Sequence, residues 1–178
     1  WKADMEEITA FARKRLTGAR VQFDGRGAPT CLALGSEHSL VLAGTDDPQT
    51  RIALALGVAR TSRETLRGDP PFPHELERAI RIAEDEVLGA QPILPASSAL
   101  MVCSPDVSLM ARLAQAGRQP HRLELAEVEA LYQALARASE RRAYTSDSPF
   151  RDPASWNAVL ILREFMHHLG YQAAWLTP

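Results

Sequence analysis

Glu164 and His168 stand four residues apart, just beyond the apolar run Ala158 to Leu162, and Asn157 lies seven residues before Glu164. On a helix this spacing brings all three side chains near one face. A carboxylate and an imidazole one turn apart could work as an acid/base pair or as metal ligands. The simpler alternative puts residues 163–168 in the last turns of a helix, where Arg and His complement the dipole and face water. Two metal patterns begin but do not complete. Glu164-x-x-His167 is half of a di-iron carboxylate set, and no second Glu-x-x-His exists. His74-Glu75 opens like His-Glu-x-x-His, but Arg78 occupies the place of the second histidine.

Cys103-Ser104-Pro105-Asp106 follows an apolar run that reads as a buried strand. If that strand is parallel, the junction lies at its carboxyl end beside a helix N-terminus. Ligands bind there in open α/β sheets, helix N-termini attract anions, and the same field lowers a thiol pKa. Cys103 or Ser104 is then a candidate nucleophile or phosphate contact; a buried strand cysteine and an N-cap serine explain the same residues. Asp46 and Asp47 hold a similar strand-to-helix position and are candidate Mg²⁺ ligands, with a helix cap plus one solvated acid as the alternative. Gly25-Arg26-Gly27 leads into a strand rather than a helix, so a hairpin turn fits it better than a phosphate loop. Glu84, Asp85 and Glu86 break a local rule by crowding acids near a helix C-terminus, which marks either an interaction surface or a solvated face. Arg51, Arg60, Arg63 and Arg67 form a weak basic stripe.

These residues need elements to position them. Residues 2–16 carry Met5, Ile8, Phe11 and Leu16 at helical spacing. Three short strands are expected at Ala19–Phe23, Thr30–Leu34 and Ser39–Ala43, as an antiparallel meander. A helix is expected from Asp47-Pro48 to about Leu66, and a second from Pro73 to Leu88. Ala99–Cys103 reads as a strand, with Ser104 capping a helix to Gly117. His121–Leu125 is a further strand, residues 126–142 a helix, Asp152-Pro153 the start of the last helix, and Tyr171–Leu176 the last strand. The expected architecture is α/β (or α+β): one domain, residues 1–178, with a mixed sheet, an N-terminal helix and meander followed by helices and βα units. An internal boundary would fall near residues 89–97.

The chain of 178 residues is long enough to bury a core without a disulfide or metal. Its net charge of -2 argues against general nucleic-acid binding. No apolar run approaches the roughly 18 residues of a membrane span. Cys31 and Cys103 belong to no Cys-x-x-Cys pair and suggest two buried thiols in a reducing, cytoplasmic compartment. No motif fixes a reaction, substrate or cofactor. Because structural explanations exist for nearly every polar residue, the first functional reading is a non-enzymatic binding or accessory domain of a bacterial type. It would act through an unidentified protein partner or self-association, with Trp1, Tyr144, Phe150 and Trp175 as contact candidates. The alternative is a small enzyme or anion-binding domain, its pocket at strand carboxyl ends near Asp46, Asp47, Cys103 and Ser104 and closed by Glu164 and His168.

Overall fold

The computed structural model describes residues 2–19, 29–44, 50–94, 99–119, 121–146, 148 and 150–177. The chain opens with α1 (Lys2–Ala19), whose Met5, Ile8, Ala12 and Leu16 are buried. Three strands follow: β1 (Thr30–Ala33), β2 (Ser39–Ala43) and β3 (Thr50–Leu54). β2 pairs antiparallel with both neighbours. Of the expected meander, the pair Thr30–Leu34 and Ser39–Ala43 is present as β1 and β2, and β3 extends it on the other side of β2; the expected strand Ala19–Phe23 begins at the last residue of α1, and its residues 20–23 lie outside the described residues.

The strand at Thr50–Leu54 also corrects the long helix expected from Asp47. The run Ile52 to Ala59 has no polar residue to reveal its period. Pairing with β2, from Ala43↔Thr50 to Ser39↔Leu54, decides its conformation. Helix α2 begins only at Val58 and ends at Thr65. Gly57 precedes it because a Cβ there would strike the backbone of Ser36 and Glu37.

Helix α3 (Pro73–Ala90) and a single 3₁₀ turn lead to β4 (Leu100–Cys103), which lies parallel to β1. Then come α4 (Val107–Ala116), β5 (Arg122–Glu124), α5 (Leu125–Arg141), α6 (Pro153–Leu169) and β6 (Ala173–Thr177). β6 joins β4 in parallel, and β5 joins β6 antiparallel. The sheet order is β3-β2-β1-β4-β6-β5, so one mixed sheet takes strands from both sides of residues 89–97.

β1, β2 and β4 are buried along their whole length, which is why they read as continuous apolar runs rather than alternating ones. Successive side chains point to opposite faces. Cys31, Ala33, Leu40, Leu42, Met101 and Cys103 pack under α1. Leu32, Leu34, Val41, Leu100 and Val102 face the larger core beneath the other helices. The thiols of Cys31 and Cys103 are free, fully buried and 3.7 Å apart. The Cys103 thiol and burial together push the Cys31 thiol well above its ordinary range.

α6 is enclosed by α2, α3 and α5. Residues Trp156 to Leu162 are all at most 1% exposed, as the uniform apolarity of its middle predicts. Asp152 caps it by accepting a 2.8 Å bond from the Ser155 N–H, and Gly170 ends it with φ 77°. Among the described residues no helix is long and apolar enough to cross a membrane.

Candidate functional site

β1 and β4 are adjacent and parallel, yet the chain leaves β1 toward β2 and β3 on one side, while β4 is followed by β6 and β5 on the other. Open α/β sheets form a crevice outside the carboxyl ends of two such strands, because their connections diverge. Here that crevice is a cleft of about 230 Å³. Its floor is Leu34-Gly35-Ser36, following β1, and Ser104-Pro105-Asp106, following β4. Asp4, Glu7 and Ile8 of α1 form one wall, and Val58, Ala59 and Ala154 close the opposite side. Gly35 is required at this junction, since a Cβ would strike the His38 carbonyl and the Ile8 side chain.

The polar groups around the cleft are already organised. Ser104 Oγ donates to the Leu34 carbonyl at 2.7 Å and accepts from the Asp106 N–H at 3.2 Å. Asp106, rather than Ser104, caps α4, accepting from the Leu109 N–H at 3.0 Å and the Ser108 hydroxyl at 2.7 Å. Burial acts to raise the Asp106 pKa, but these donors and Arg112 outweigh it and hold the carboxyl below its ordinary 3.8. The first N–H groups of α2 are likewise occupied: Val58 donates to Gly35, while Ala59 and Arg60 donate to Ser36. Asn157, deep in α6, fixes this corner by donating to the Gly57 and Val58 carbonyls at 3.2 Å each.

Beside the cleft runs a relay that the sequence did not signal. Arg60 Nη1 donates to His38 Nε2 at 3.3 Å, so the imidazole proton sits on Nδ1 and faces Asp4 Oδ2, also at 3.3 Å. Arg60 further pairs with Glu64, and Arg63 with Glu37, so much of the anticipated basic stripe is neutralised. Among the described residues, the lining of the cleft contains three carboxylates, Asp4, Glu7 and Asp106, and no lysine or arginine.

Of the described residues anticipated for a site, only Ser104 lines this cleft. Cys103 points under α1 and is fully buried. Asp46 and Asp47 lie outside the described residues, as do Gly25-Arg26-Gly27 and Trp1. Glu164 and His168 do come together, with Glu164 Oε2 3.2 Å from His168 Nε2. They sit ten and fourteen residues along α6 from Ala154, about 15 and 21 Å from the cleft at 1.5 Å per residue, and do not close it. Their surroundings form an ion network: Arg163 pairs with Glu164 and with Glu129, and His168 lies 3.6 Å from Glu84. Two of the three acids at 84–86 are explained by contacts: Glu84 faces His168, and Glu86 accepts from the Ala55 N–H at 2.8 Å. Among the described residues no group of three or more His, Cys, Asp or Glu could hold a metal by itself.

No protein-family model matches the chain, and none of the curated proteins matches its sequence. Solved structures do share its fold. A type II variant of the Aquifex aeolicus Ppx/GppA phosphatase superposes with a TM-score of 0.71 at 11% identity, over 93% of this chain and 58% of that one. An exopolyphosphatase-like protein gives 0.65 at 14% identity, over 85% and 55%. An exopolyphosphatase from Cytophaga hutchinsonii gives 0.64 at 11% identity, over 86% and 54%. At these identities the likeness is one of fold, and the chain spans a little over half the length of each protein. It nevertheless corrects the first functional reading. The three structures named here are described as phosphatases or phosphatase-like, which counts against a non-enzymatic accessory domain defined by protein binding and makes the pocket alternative the closer one. The contact candidates behind that reading weaken with it, since Phe150 is 1% exposed and the Trp175 ring is covered by the Arg122 guanidinium.

Proposed function

We propose that the chain is the ligand-binding domain of a phosphatase-like enzyme, and that the cleft beyond β1 and β4 takes a phosphorylated small molecule together with a divalent cation. The observation that carries this reading is the chemistry of the lining: among the described residues it has three carboxylates and no lysine or arginine, at the ligand-binding end of a fold shared with phosphatases. A phosphate alone would meet like charge there, and the helix N–H groups that usually receive it are engaged by Ser36, Gly35 and Asp106.

A hard divalent cation reconciles the two. Mg²⁺ is commonly held by one or two carboxylates, with waters and substrate phosphate oxygens completing its shell. The oxygen donors Asp4, Glu7 and Asp106 suit that role, and the lack of a self-sufficient cluster makes the ligand's own oxygens part of the site. Exposed Glu7 is also placed to orient a water for hydrolysis. A reducing, cytoplasmic setting suits the two free thiols.

Calorimetric titration with pyrophosphate, with and without Mg²⁺, tests the assignment. A saturable Mg²⁺-dependent component that disappears in Glu7→Gln/Asp106→Asn supports it, and Asn still caps α4 so the fold is kept. Identical isotherms with and without Mg²⁺, or a Mg²⁺-dependent component untouched in the variant, would refute it. Orthophosphate released from polyphosphate under the same conditions would identify hydrolysis as the reaction.

A further inference from the structure

The carboxylates of the cleft are not held alike. Asp106 Oδ1 accepts from the Leu109 N–H at 3.0 Å and from the Ser108 hydroxyl at 2.7 Å. On the opposite wall, Asp4 Oδ2 faces His38 Nδ1 at 3.3 Å. Glu7, the third, is exposed on α1. Each aspartate therefore has one oxygen committed to a donor of the protein, which leaves a single oxygen of each outside these bonds. We propose that His38 is a positioning residue for the cleft: by holding Oδ2 it limits Asp4 to one oxygen toward a bound cation, and so sets a preference for Mg²⁺ over Ca²⁺. The inference rests on the reading of the cleft as a site for a cation and a phosphate.

The two ions differ in what they ask of a carboxylate. Mg²⁺ demands near-octahedral geometry at about 2.0–2.1 Å, keeps several waters, and is usually held by one or two carboxylates plus phosphate oxygens. Ca²⁺ gathers about six to eight oxygens at roughly 2.3–2.6 Å and readily takes both oxygens of one carboxylate. Two aspartates that give one oxygen each, completed by water and a ligand's phosphate, suit the first ion and underfill the second.

His38 is placed to enforce that geometry. It stands at the end of the turn between β1 and β2, its side chain only 14% exposed. Arg60, from α2, donates to Nε2 at 3.3 Å, and the bond at one ring nitrogen fixes the proton on the other, toward Asp4. Arg60 Nε in turn donates to Glu64 at 3.1 Å, so the guanidinium is anchored as well. The neighbouring Glu37 is drawn off by Arg63 at 2.9 Å and does not compete for the imidazole proton. Partners that orient a metal-holding carboxylate typically matter about 10–100-fold to metal affinity.

Two substitutions separate this role from a merely structural one. In His38→Asn the amide N–H takes the place of Nδ1, so the bond to Asp4 is kept and the bond from Arg60 is lost. In His38→Gln the amide reaches the place of Nε2, so the bond from Arg60 is kept and Asp4 Oδ2 is released. Each variant loses one bond of the same relay, and a general loosening of the fold would move both alike. Calorimetric titration of the whole chain with pyrophosphate, in Mg²⁺ and in Ca²⁺ below the solubility limit of the calcium salt, reads the preference. The parent should bind more tightly in Mg²⁺, His38→Asn should keep that ratio, and His38→Gln should shift it toward Ca²⁺ by about tenfold. A parent that does not favour Mg²⁺, a Gln variant with the parental ratio, or an Asn variant shifted as far as Gln overturns the inference and leaves the reading of the cleft in place. A parent whose binding depends on neither ion overturns both.

Discussion

Ser104 Oγ donates its proton to the Leu34 carbonyl, 2.7 Å away, and so ties the chain leaving β4 to the chain leaving β1. The bond spans the point where the strand connections diverge and sets the floor of the cleft. A carbonyl cannot take up the proton that a nucleophilic serine must shed, so the arrangement makes Ser104 a structural tie. Ser104→Ala should destabilise the chain by about 1–3 kcal/mol, because the Leu34 carbonyl and Asp106 N–H lose a buried partner. Urea denaturation measures this; a midpoint equal to that of the parent would contradict the role.

The network at the far end of α6 should be structural as well. Glu164 is 3% exposed and relies on Arg163 and His168 for compensation. Burial acts to lower the Arg163 pKa, but Glu129 and Glu164 outweigh it and raise it. Arg163→Ala should cost about 3–5 kcal/mol by stranding a buried carboxylate. The Arg163→Met/Glu164→Leu double variant should recover most of that loss. A single variant as stable as the parent would show that the carboxylate is not held by this pair.

Tyr144 offers a pH test. Burial and the Asp69 carboxylate push its phenol up to about 12 from an ordinary 10.0. The folded state favours the neutral phenol, so its stabilisation is full below pH 10 and is lost as pH rises through about 12. Ultraviolet titration should therefore show a late-ionising tyrosine phase, and Tyr144→Phe should remove it. A titration curve unchanged by Tyr144→Phe at its late end would contradict the contact.

Much of the fold is legible in the residues. The apolar stripe of α1, the Asp152-Pro153 start and Gly170 end of α6, and the runs that become β1, β2 and β4 each state their own conformation, because caps and burial patterns are local chemistry. The stretch Thr50 to Leu54 does not. Its apolar run suits a helix or a strand equally, and only β2 lying alongside selects the strand. The start of α4 shifts by two residues for a related reason: Ser104 and Asp106 are both good caps, and the Leu34 carbonyl draws Ser104 away.

The sequence by itself determined the helices at α1, α3, α5 and α6, which strands are buried on both faces, and that Glu164 and His168 would share a helix face. Tertiary structure decided what those residues do. It put Glu164 and His168 beside Arg163 and Glu84 rather than at the strand ends, and gathered Asp4, Glu7 and Asp106 around one cleft. Caps and periodicity act over a few residues. Convergence of side chains distant in sequence depends on sheet order and on which helix lies over which strand, and local pattern carries neither.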